Sequence, residues 1–294
     1  ISMAALNYAQ QYSAELAQAY PYVLYSGALW NNENSRKYRI VDAKTIQIPS
    51  ISVGGRTNGD RDTIGGFTRN FNNSWETKTL KNHRTWETLV HPKDIQETNQ
   101  VASIENITRT MNEEEKFPEM DAYIFSTIFN LRNDLEEITA LEGDLTVANV
   151  LDKFDEMMDK MDEARVPAAG RVLYCDTFTK TLITKAISIV RSNGDKKLVR
   201  DVERLEDVEI VSVPTDLFHT KYTFDNGFEK TEDAKDIKML LLHPSAILPI
   251  VSYEFAQLQP PSAMSKGKYV YFEESFEDVF LLNKRKDAIQ ILYK

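Results

Sequence analysis

The sequence predicts a mixed α+β fold, and three observations support this class. Apolar residues make up 42% of the 294-residue chain, enough for a packed core in one large domain or two ordinary ones. Between residues 118 and 164, apolar residues recur at helical spacing. Residues 38–52 and the chain from residue 165 onward contain short alternating or continuous apolar runs of the β type. Helices and strands are therefore both expected.

Charge is distributed unevenly along the chain. The net charge is −10, from 45 acidic and 35 basic residues. Residues 113–163 hold 16 acidic and 4 basic groups, so this segment accounts for more than the whole imbalance. Tight binding to nucleic acid depends on neutralising phosphates, and an acidic chain without a basic tract is a poor candidate for it. The chain also lacks an apolar run of about 18 residues, so no transmembrane helix is predicted.

The first 37 residues are polar and rich in tyrosine, and Pro21 interrupts any long helix within them. Such a segment cannot fold by itself. It is either a frayed terminus or an arm that lies on a neighbouring molecule, and its aromatic residues favour the arm.

Residues 38–52 alternate apolar and polar side chains, with Ile46, Ile48 and Ile51 as the expected buried face of a strand that is broken near Pro49. A glycine-rich polar segment follows. The β-like runs at 74–80 and 84–90 are then predicted to pair as a long two-stranded hairpin with a polar outer part. A lone hairpin is marginal in water, so we expect contacts from outside its own domain to hold it.

Two helices are predicted next, at about 98–112 and about 118–141. Pro118 suits the first position of the second helix, and acidic residues just after it suit the positive end of the helix dipole. Thr146 is expected to cap a third helix at about 147–164, whose methionines are interpreted as ordinary core residues. Later strands are predicted at 171–175, 208–214, 237–242, 268–272, 279–282 and 288–293, with a helix at about 177–187.

No catalytic, cofactor-binding or metal site is predicted. The common phosphate-loop, dinucleotide, zinc-protease and nucleophile-elbow motifs are missing from the sequence. The single cysteine, Cys175, excludes an intrachain disulfide and is interpreted as an inert core thiol. His91 and His243 precede proline where apolar runs end, which favours structural roles. The chain is therefore not expected to be an enzyme.

The order of these parts resembles the major capsid proteins of tailed bacteriophages, which share the Hong Kong 97-type fold. The most specific part is the Pro-Glu-x-Asp-Ala-Tyr entry to a long helix, preceded by a Glu-Thr-Asn stretch. A His-Pro-Ser-Ala stretch gives supporting likeness. These segments are Gln96–Asn99, Phe117–Tyr123 and His243–Ala246.

The resemblance implies four segments. Residues 1–37 would be the N-arm. Residues 38–144 would belong to the P-domain, with the E-loop at 54–86 and the spine helix at about 118–141. Residues 145–261 would form the α/β A-domain, and residues 262–294 would return to the P-domain as strands.

The resemblance also implies a structural protein of the virion. Subunits of that family form hexamers and pentamers that enclose the genome in an icosahedral shell, after assembly in the host cytoplasm. Portal protein, and scaffold or decoration proteins, would be partners, without specific binding of the genome and without a membrane. In some members a protease removes an N-terminal scaffolding segment. A chain that begins at Ile1 is compatible with such processing. We predict no crosslinking between subunits.

The charge pattern predicts how subunits meet. The E-loop candidate carries six basic and three acidic groups, and the segment 113–163 is strongly acidic. We expect the basic loop of one subunit to rest on the acidic helical face of its neighbour, which fixes register more than it adds affinity. The candidate contact residues are Arg56, Arg61, Arg69, Lys78, Lys81, Arg84, Glu136 and Glu137.

Three alternatives remain open at the level of sequence. One is an encapsulin-like shell with the same fold and an enzyme cargo. Another is a tail-tube or other phage structural protein. The third is a soluble α/β enzyme that uses His219 or His243 in a deep pocket.

Overall fold

The computed structural model describes residues 24–30, 38–42, 44–56, 69–97, 103–135, 139–140, 144–191, 204–205 and 207–294. Its α-helices are α1 (Gly27–Trp30), α2 (Pro92–Glu97), α3 (Ile104–Met111), α4 (Phe117–Asn133), α5 (Val150–Glu163) and α6 (Thr177–Arg191). The first strands are β1 (Arg39–Asp42), β2 (Thr45–Val53), β3 (Phe71–Thr79), β4 (His83–Val90), β5 (Thr139–Ala140), β6 (Val172–Asp176) and β7 (Arg204–Leu205). The later strands are β8 (Val208–Val213), β9 (Tyr222–Thr223), β10 (Glu229–Lys230), β11 (Ile237–Leu242), β12 (Ile247–Gln259), β13 (Tyr269–Leu281) and β14 (Ile289–Tyr293). The α+β class is confirmed. None of the described helices is long and apolar enough to cross a membrane.

A six-stranded sheet holds the main core. Its strand order is β5-β14-β11-β6-β8-β7, so the apolar run at 237–242 is a central strand, as predicted. Helices supply the other side of the core through the fully buried side chains of Phe125, Phe154 and Ile183. The ring of Phe125 lies edge-on to Phe218, with 5.1 Å between ring centroids. Burial of large apolar side chains on both sides of one sheet is the main stabilising contribution to this half of the molecule.

A second sheet, β12-β13-β4, is antiparallel and built on a long hairpin. The sequence predicted two strands, at 268–272 and 279–282, but the structure has one strand, β13, across both. Carboxylates at 273, 274, 277 and 278 interrupt the apolar pattern without interrupting the strand. Strand β12 was not predicted, because its outer half from residue 251 onward is exposed and its side chains show no clean alternation.

The third sheet, β1-β2-β3, contains the arm-like hairpin. Strand β3 pairs with β2 from Thr45–Thr79 to Val53–Phe71, whereas β4 pairs with β13. The predicted pairing of 74–80 with 84–90 is therefore wrong. At the outer end of the described hairpin, the Gly54 N–H donates to the Asn70 carbonyl, and residues 57–68 of the glycine-rich segment lie outside the described residues.

Helices α3 and α4 are joined by a π-helical segment, Asn112–Lys116, so that helical backbone runs from Ile104 to Asn133. Pro118 lies in the first turn of α4, as predicted, but α4 continues the preceding helical segment without a break. Proline cannot donate the usual hydrogen bond, and the wider turn before it absorbs the mismatch through a bond from the Phe117 N–H to the Asn112 carbonyl. The helix also ends at Asn133, before the predicted residue 141.

The division into four segments remains a prediction, but three observations modify it. The boundary at 261/262 falls in the turn between the paired strands β12 and β13. The last strand, β14, pairs with β11 in the main sheet instead of returning with β13. In the proposed N-arm, Ser26 and Leu29 are fully buried within their own subunit, so at least these two residues pack on the body of the same chain. Residues 1–23 and 31–37 lie outside the described residues.

Candidate subunit-contact surfaces

The outer end of the β2–β3 hairpin presents an apolar face to solvent. Because side chains alternate along a strand, the pairing places Ile51, Val53, Phe71 and Trp75 on one face. Val53 is 75% exposed and Trp75 is 50% exposed. Ile51 was expected to share the buried face of Ile46 and Ile48, but its odd position turns it to the opposite face. We name these four exposed residues the hairpin apolar face.

The inner end of the same hairpin is anchored to the second sheet. Ile46 and Ile48 are buried in a small core together with Leu80, Leu248 and Phe280. The hairpin therefore has a fixed base and an outer half whose apolar side chains have little cover from their own subunit. Isolated apolar residues on a surface are ordinary, whereas a contiguous apolar face marks an interaction site.

The predicted basic contact residues fall into two groups. Arg56 and Arg69 lie exposed at the outer end of the hairpin, and the Arg69 guanidinium lies 4.6 Å from the centre of the Phe71 ring. Lys78 pairs with Glu76 on the same strand at 2.6 Å. These positions are compatible with contact to a neighbour.

Arg84 and Lys81 have different surroundings. Arg84 lies on β4, not on the hairpin, and its guanidinium pairs with Glu119 at 2.6 Å and donates to the Phe224 carbonyl. The Lys81 N–H donates to the Asp278 carboxylate at 2.9 Å. Arg84 therefore makes an ion pair within its own subunit, and its contact with a neighbour stays a prediction. The predicted residues Arg61, Glu136 and Glu137 lie outside the described residues.

The segment Phe117–Tyr123, which carried the resemblance, connects the long helix to three separate parts of the chain. Asp121 is fully buried, and its carboxylate accepts hydrogen bonds from the Tyr25 N–H at 3.1 Å and the Ser26 N–H at 2.8 Å. The Ser26 hydroxyl donates to the same carboxylate. The aspartate thus fixes the start of α1 on the long helix, a role that its position near a helix start did not indicate.

The other two polar residues of this segment hold the second sheet. The Glu119 carboxylate accepts two hydrogen bonds from the Arg84 guanidinium, one at each oxygen. The Tyr123 hydroxyl donates to Asp278 on β13 at 2.8 Å. A bidentate arginine–carboxylate pair fixes orientation as well as distance. The motif is therefore a set of structural attachments between the long helix and the second sheet.

A cleft of about 550 Å³ lies between the long helix and the second sheet. Its walls combine carboxylates with a few basic and apolar side chains, and we name it the acidic cleft. Two ion pairs lie among its lining residues, Arg84 with Glu119 and Lys116 with Glu273 at 3.2 Å, and the His83 ring is hydrogen-bonded to Glu274 at 2.7 Å. The cleft was not predicted, although four carboxylates interleaved with aromatic residues at 272–280 are an unusual strand sequence that could have indicated it.

Glu277 is the buried member of this cleft, at 7% exposure. Among the described residues, none donates a hydrogen bond to its carboxyl group or forms an ion pair with it. The pKa of Glu277 is raised to about 7, mainly by burial; the nearby carboxylates of Glu119 and Glu254 add to the rise, while Lys116 and Arg84 oppose it. In the isolated subunit this group is therefore half protonated near neutral pH.

The variant Glu277→Gln is expected to stabilise the soluble subunit at pH 8 by up to about 3 kcal/mol. The folded protein binds the proton more tightly than the unfolded chain, whose carboxyl has a pKa near 4.5. The contribution of the protonated carboxyl to stability is therefore complete below pH 4.5 and is lost as the pH rises through 7. Glutamine mimics the protonated form at every pH. Urea unfolding at pH 5, 6, 7 and 8 measures this. Parallel pH profiles for the two proteins would contradict the prediction.

The remaining candidates for chemistry have structural surroundings. His243 caps the turn Pro244–Ala246 through the Ser245 N–H, and His219 is buried, with Nδ1 2.9 Å from Asp236 but misaligned for a hydrogen bond. Cys175 is fully buried, and burial raises the pKa of its thiol to about 12, as an inert core thiol requires. Within the described part of the chain, no three His, Cys, Asp or Glu side chains are grouped so that they could hold a metal ion.

The chain is similar to several solved structures, although comparison of sequences finds no relative. No family model and no curated protein sequence matches the chain. A capsid structure of the cyanophage P-SCSP1u superposes with a TM-score of 0.65 at 10% identity, covering 86% of this chain and 84% of that one. The mature capsid of bacteriophage PhiM1 gives 0.62 at 13% identity, with coverage of 85% and 81%. A structure from Mycobacterium phage Che8 gives 0.59 at 15% identity, with coverage of 94% and 93%.

These likenesses extend over most of the chain on both sides, so they concern the whole architecture and not one shared sheet. At such low identity the likeness establishes the fold alone. The chain has the Hong Kong 97-type fold of the capsid subunits of tailed bacteriophages.

Proposed function

We propose that this chain is a major capsid protein, which assembles with copies of itself into the icosahedral head shell of a tailed bacteriophage. The observation that carries the proposal is the match to phage capsid subunits over more than four fifths of the chain. The exposed hairpin apolar face supports it, because an arm with a fixed base and an uncovered outer half suits contact with a second copy. The role is structural and not catalytic.

The proposed particle follows from this role. Copies would form hexamers and pentamers in the virion shell, after assembly in the host cytoplasm, with a portal protein and with scaffold or decoration proteins as further partners. The genome would be enclosed without specific binding, in keeping with the net charge of −10.

Negative-stain microscopy of the purified, concentrated protein tests the proposal. Closed polyhedral shells are the expected result, and mass spectrometry of the contents of particles from infected cells should find nucleic acid. Tubes would instead indicate a tail-tube protein, and shells filled with one enzyme would indicate an encapsulin-like compartment. Monomers at every concentration and in every buffer would contradict assembly altogether.

The contact between copies that we propose joins the basic hairpin to acidic surface on a neighbour. Arg56, Arg61 and Arg69 lie in a segment with six basic and three acidic groups, and the segment 113–163 has a net charge of −12. Each exposed pair contributes only about 0–1 kcal/mol, so the shell would depend on many repeated contacts.

Assembly is therefore expected to weaken as salt rises, because exposed ion pairs are screened. Light scattering at 50, 150 and 500 mM NaCl measures the protein concentration at which shells form. The combined variant Arg56→Glu, Arg61→Glu, Arg69→Glu should need more protein and should respond less to salt. If salt and charge reversal both leave the threshold unchanged, the electrostatic contact is wrong.

A further inference from the structure

The acidic cleft contains more negative charge than its own residues neutralise. Glu119, Glu273 and Glu274 each have a basic partner. Four other carboxylates line the cleft without a hydrogen bond or ion pair among the described residues: Glu115, Asp225, Glu254 and Glu277. A concentration of unpaired carboxylates in a concave site attracts a cation.

Glu277 makes this cleft more than a solvated acidic surface. Glu277 is more than nine-tenths buried and lines the cleft, and no described residue donates a hydrogen bond to its carboxyl group. Burying a carboxylate is costly unless the group is paired or neutralised. A cation that enters the cleft would supply the missing partner, and the carboxylate would then remain ionised.

The walls of the cleft suit an arginine side chain. Trp86, Met120, Phe255 and Ala256 line it beside the carboxylates. Apolar walls accommodate the methylene stem and flat face of an arginine, and the planar guanidinium can donate to two carboxylates at once.

The hairpin of a second copy offers a suitable cation. The described part of its outer end, residues 49–56 and 69–75, carries Arg56 and Arg69 and no carboxylate. Arg69 is held along its own strand by the Phe71 carbonyl and Asn73, whereas Arg56 is exposed and has no such bond among the described residues. The hairpin apolar face next to Arg56 could also pack against the exposed aromatic side chains of Tyr253 and Phe255, which flank Glu254.

We propose that the acidic cleft of one subunit binds the Arg56 side chain of a second copy, with Glu254 and Glu277 as its anions. This inference rests on the proposed function and names the surface at which the hairpin docks. It places the contact in the cleft beside the second sheet, and not on the outer acidic face of α5.

A charge swap tests the proposal in the full-length chain. Arg56→Glu and Glu254→Arg are both at exposed positions, so the subunit fold should be unaffected. Each single variant should raise the protein concentration needed for shell formation by about tenfold, and the double variant should restore most of the loss. The matched control is Asp155→Arg, an exposed carboxylate on α5, which should not rescue Arg56→Glu.

Crosslinking gives an independent measurement of the same contact. Shells assembled from a mixture of Arg56→Cys and Glu254→Cys subunits should yield covalent dimers with a short bis-maleimide, since the native Cys175 is buried and unreactive. Shells that form normally with Arg56→Glu, rescue by Asp155→Arg alone, or shells that yield no dimers would each overturn the cleft contact while leaving the capsid function intact. A wild-type protein that forms no shells would instead contradict the proposed function.

Discussion

Replacing Asp121 by alanine is expected to lower the free energy of unfolding of the subunit by about 3–5 kcal/mol. The carboxylate is fully buried and accepts bonds from two backbone N–H groups and one hydroxyl of residues 25 and 26. Removing it leaves the Ser26 N–H and hydroxyl buried without this acceptor, and a buried unsatisfied donor costs about 1–3 kcal/mol. The loss should also loosen α1 and the fully buried Leu29 that it carries.

Urea unfolding of the soluble subunit measures this effect. Asp121→Asn keeps one acceptor oxygen and should lie between the wild type and Asp121→Ala. Glu114→Ala removes an exposed carboxylate from the same helical stretch and should change stability by no more than about 0.5 kcal/mol. A small loss for Asp121→Ala, similar to that of the control, would show that α1 is held by its apolar contacts alone.

The double variant Val53→Ser, Trp75→Ser is expected to raise the protein concentration needed for assembly by about a hundredfold. Both side chains lie on the hairpin apolar face and are mostly or half exposed in the subunit, so burial against a neighbour would contribute about 1.5 kcal/mol or more for each. About 3 kcal/mol corresponds to a factor of about one hundred in an association constant. Unfolding of the subunit should change little, because neither residue belongs to its core.

The matched control is Asn72→Ser, which alters the opposite face of the same hairpin. Analytical ultracentrifugation across a concentration series measures assembly, and circular dichroism checks the subunit fold. Assembly by the double variant at the wild-type threshold would mean that the hairpin apolar face remains in solvent in the shell.

Local sequence patterns predicted those helices and strands whose buried side is marked by a regular spacing of apolar residues. The continuous apolar run at 237–242 indicated a central strand, and the helix predicted from about residue 177 begins at Thr177, where the Asp176 carboxylate accepts from the Thr179 N–H. The stripe of apolar residues after Pro118 indicated the long helix. Periodicity reports which side of an element faces away from water.

Local patterns could not predict which strands pair when the two strands lie far apart in the sequence. The partner of β4 is β13, almost two hundred residues later, and nothing local distinguishes it from the nearer β3. Pro118 was correctly placed at the start of α4, but the π-helical turn that joins α3 to α4 has no simple local signal. The acidic cleft was missed for the same reason, since it forms only where the long helix crosses a strand from the end of the chain.

By itself, the sequence determined the fold class, the long helix, the central strand and the uneven charge, because these depend on composition and on the spacing of residues close together in the chain. Only the tertiary structure decided which strands pair, that Asp121 and Arg84 bind within the subunit, and that Glu277 lies buried in a cleft. Those features arise from contacts between residues far apart in the chain, and the free energy that selects them is a property of the whole packed arrangement.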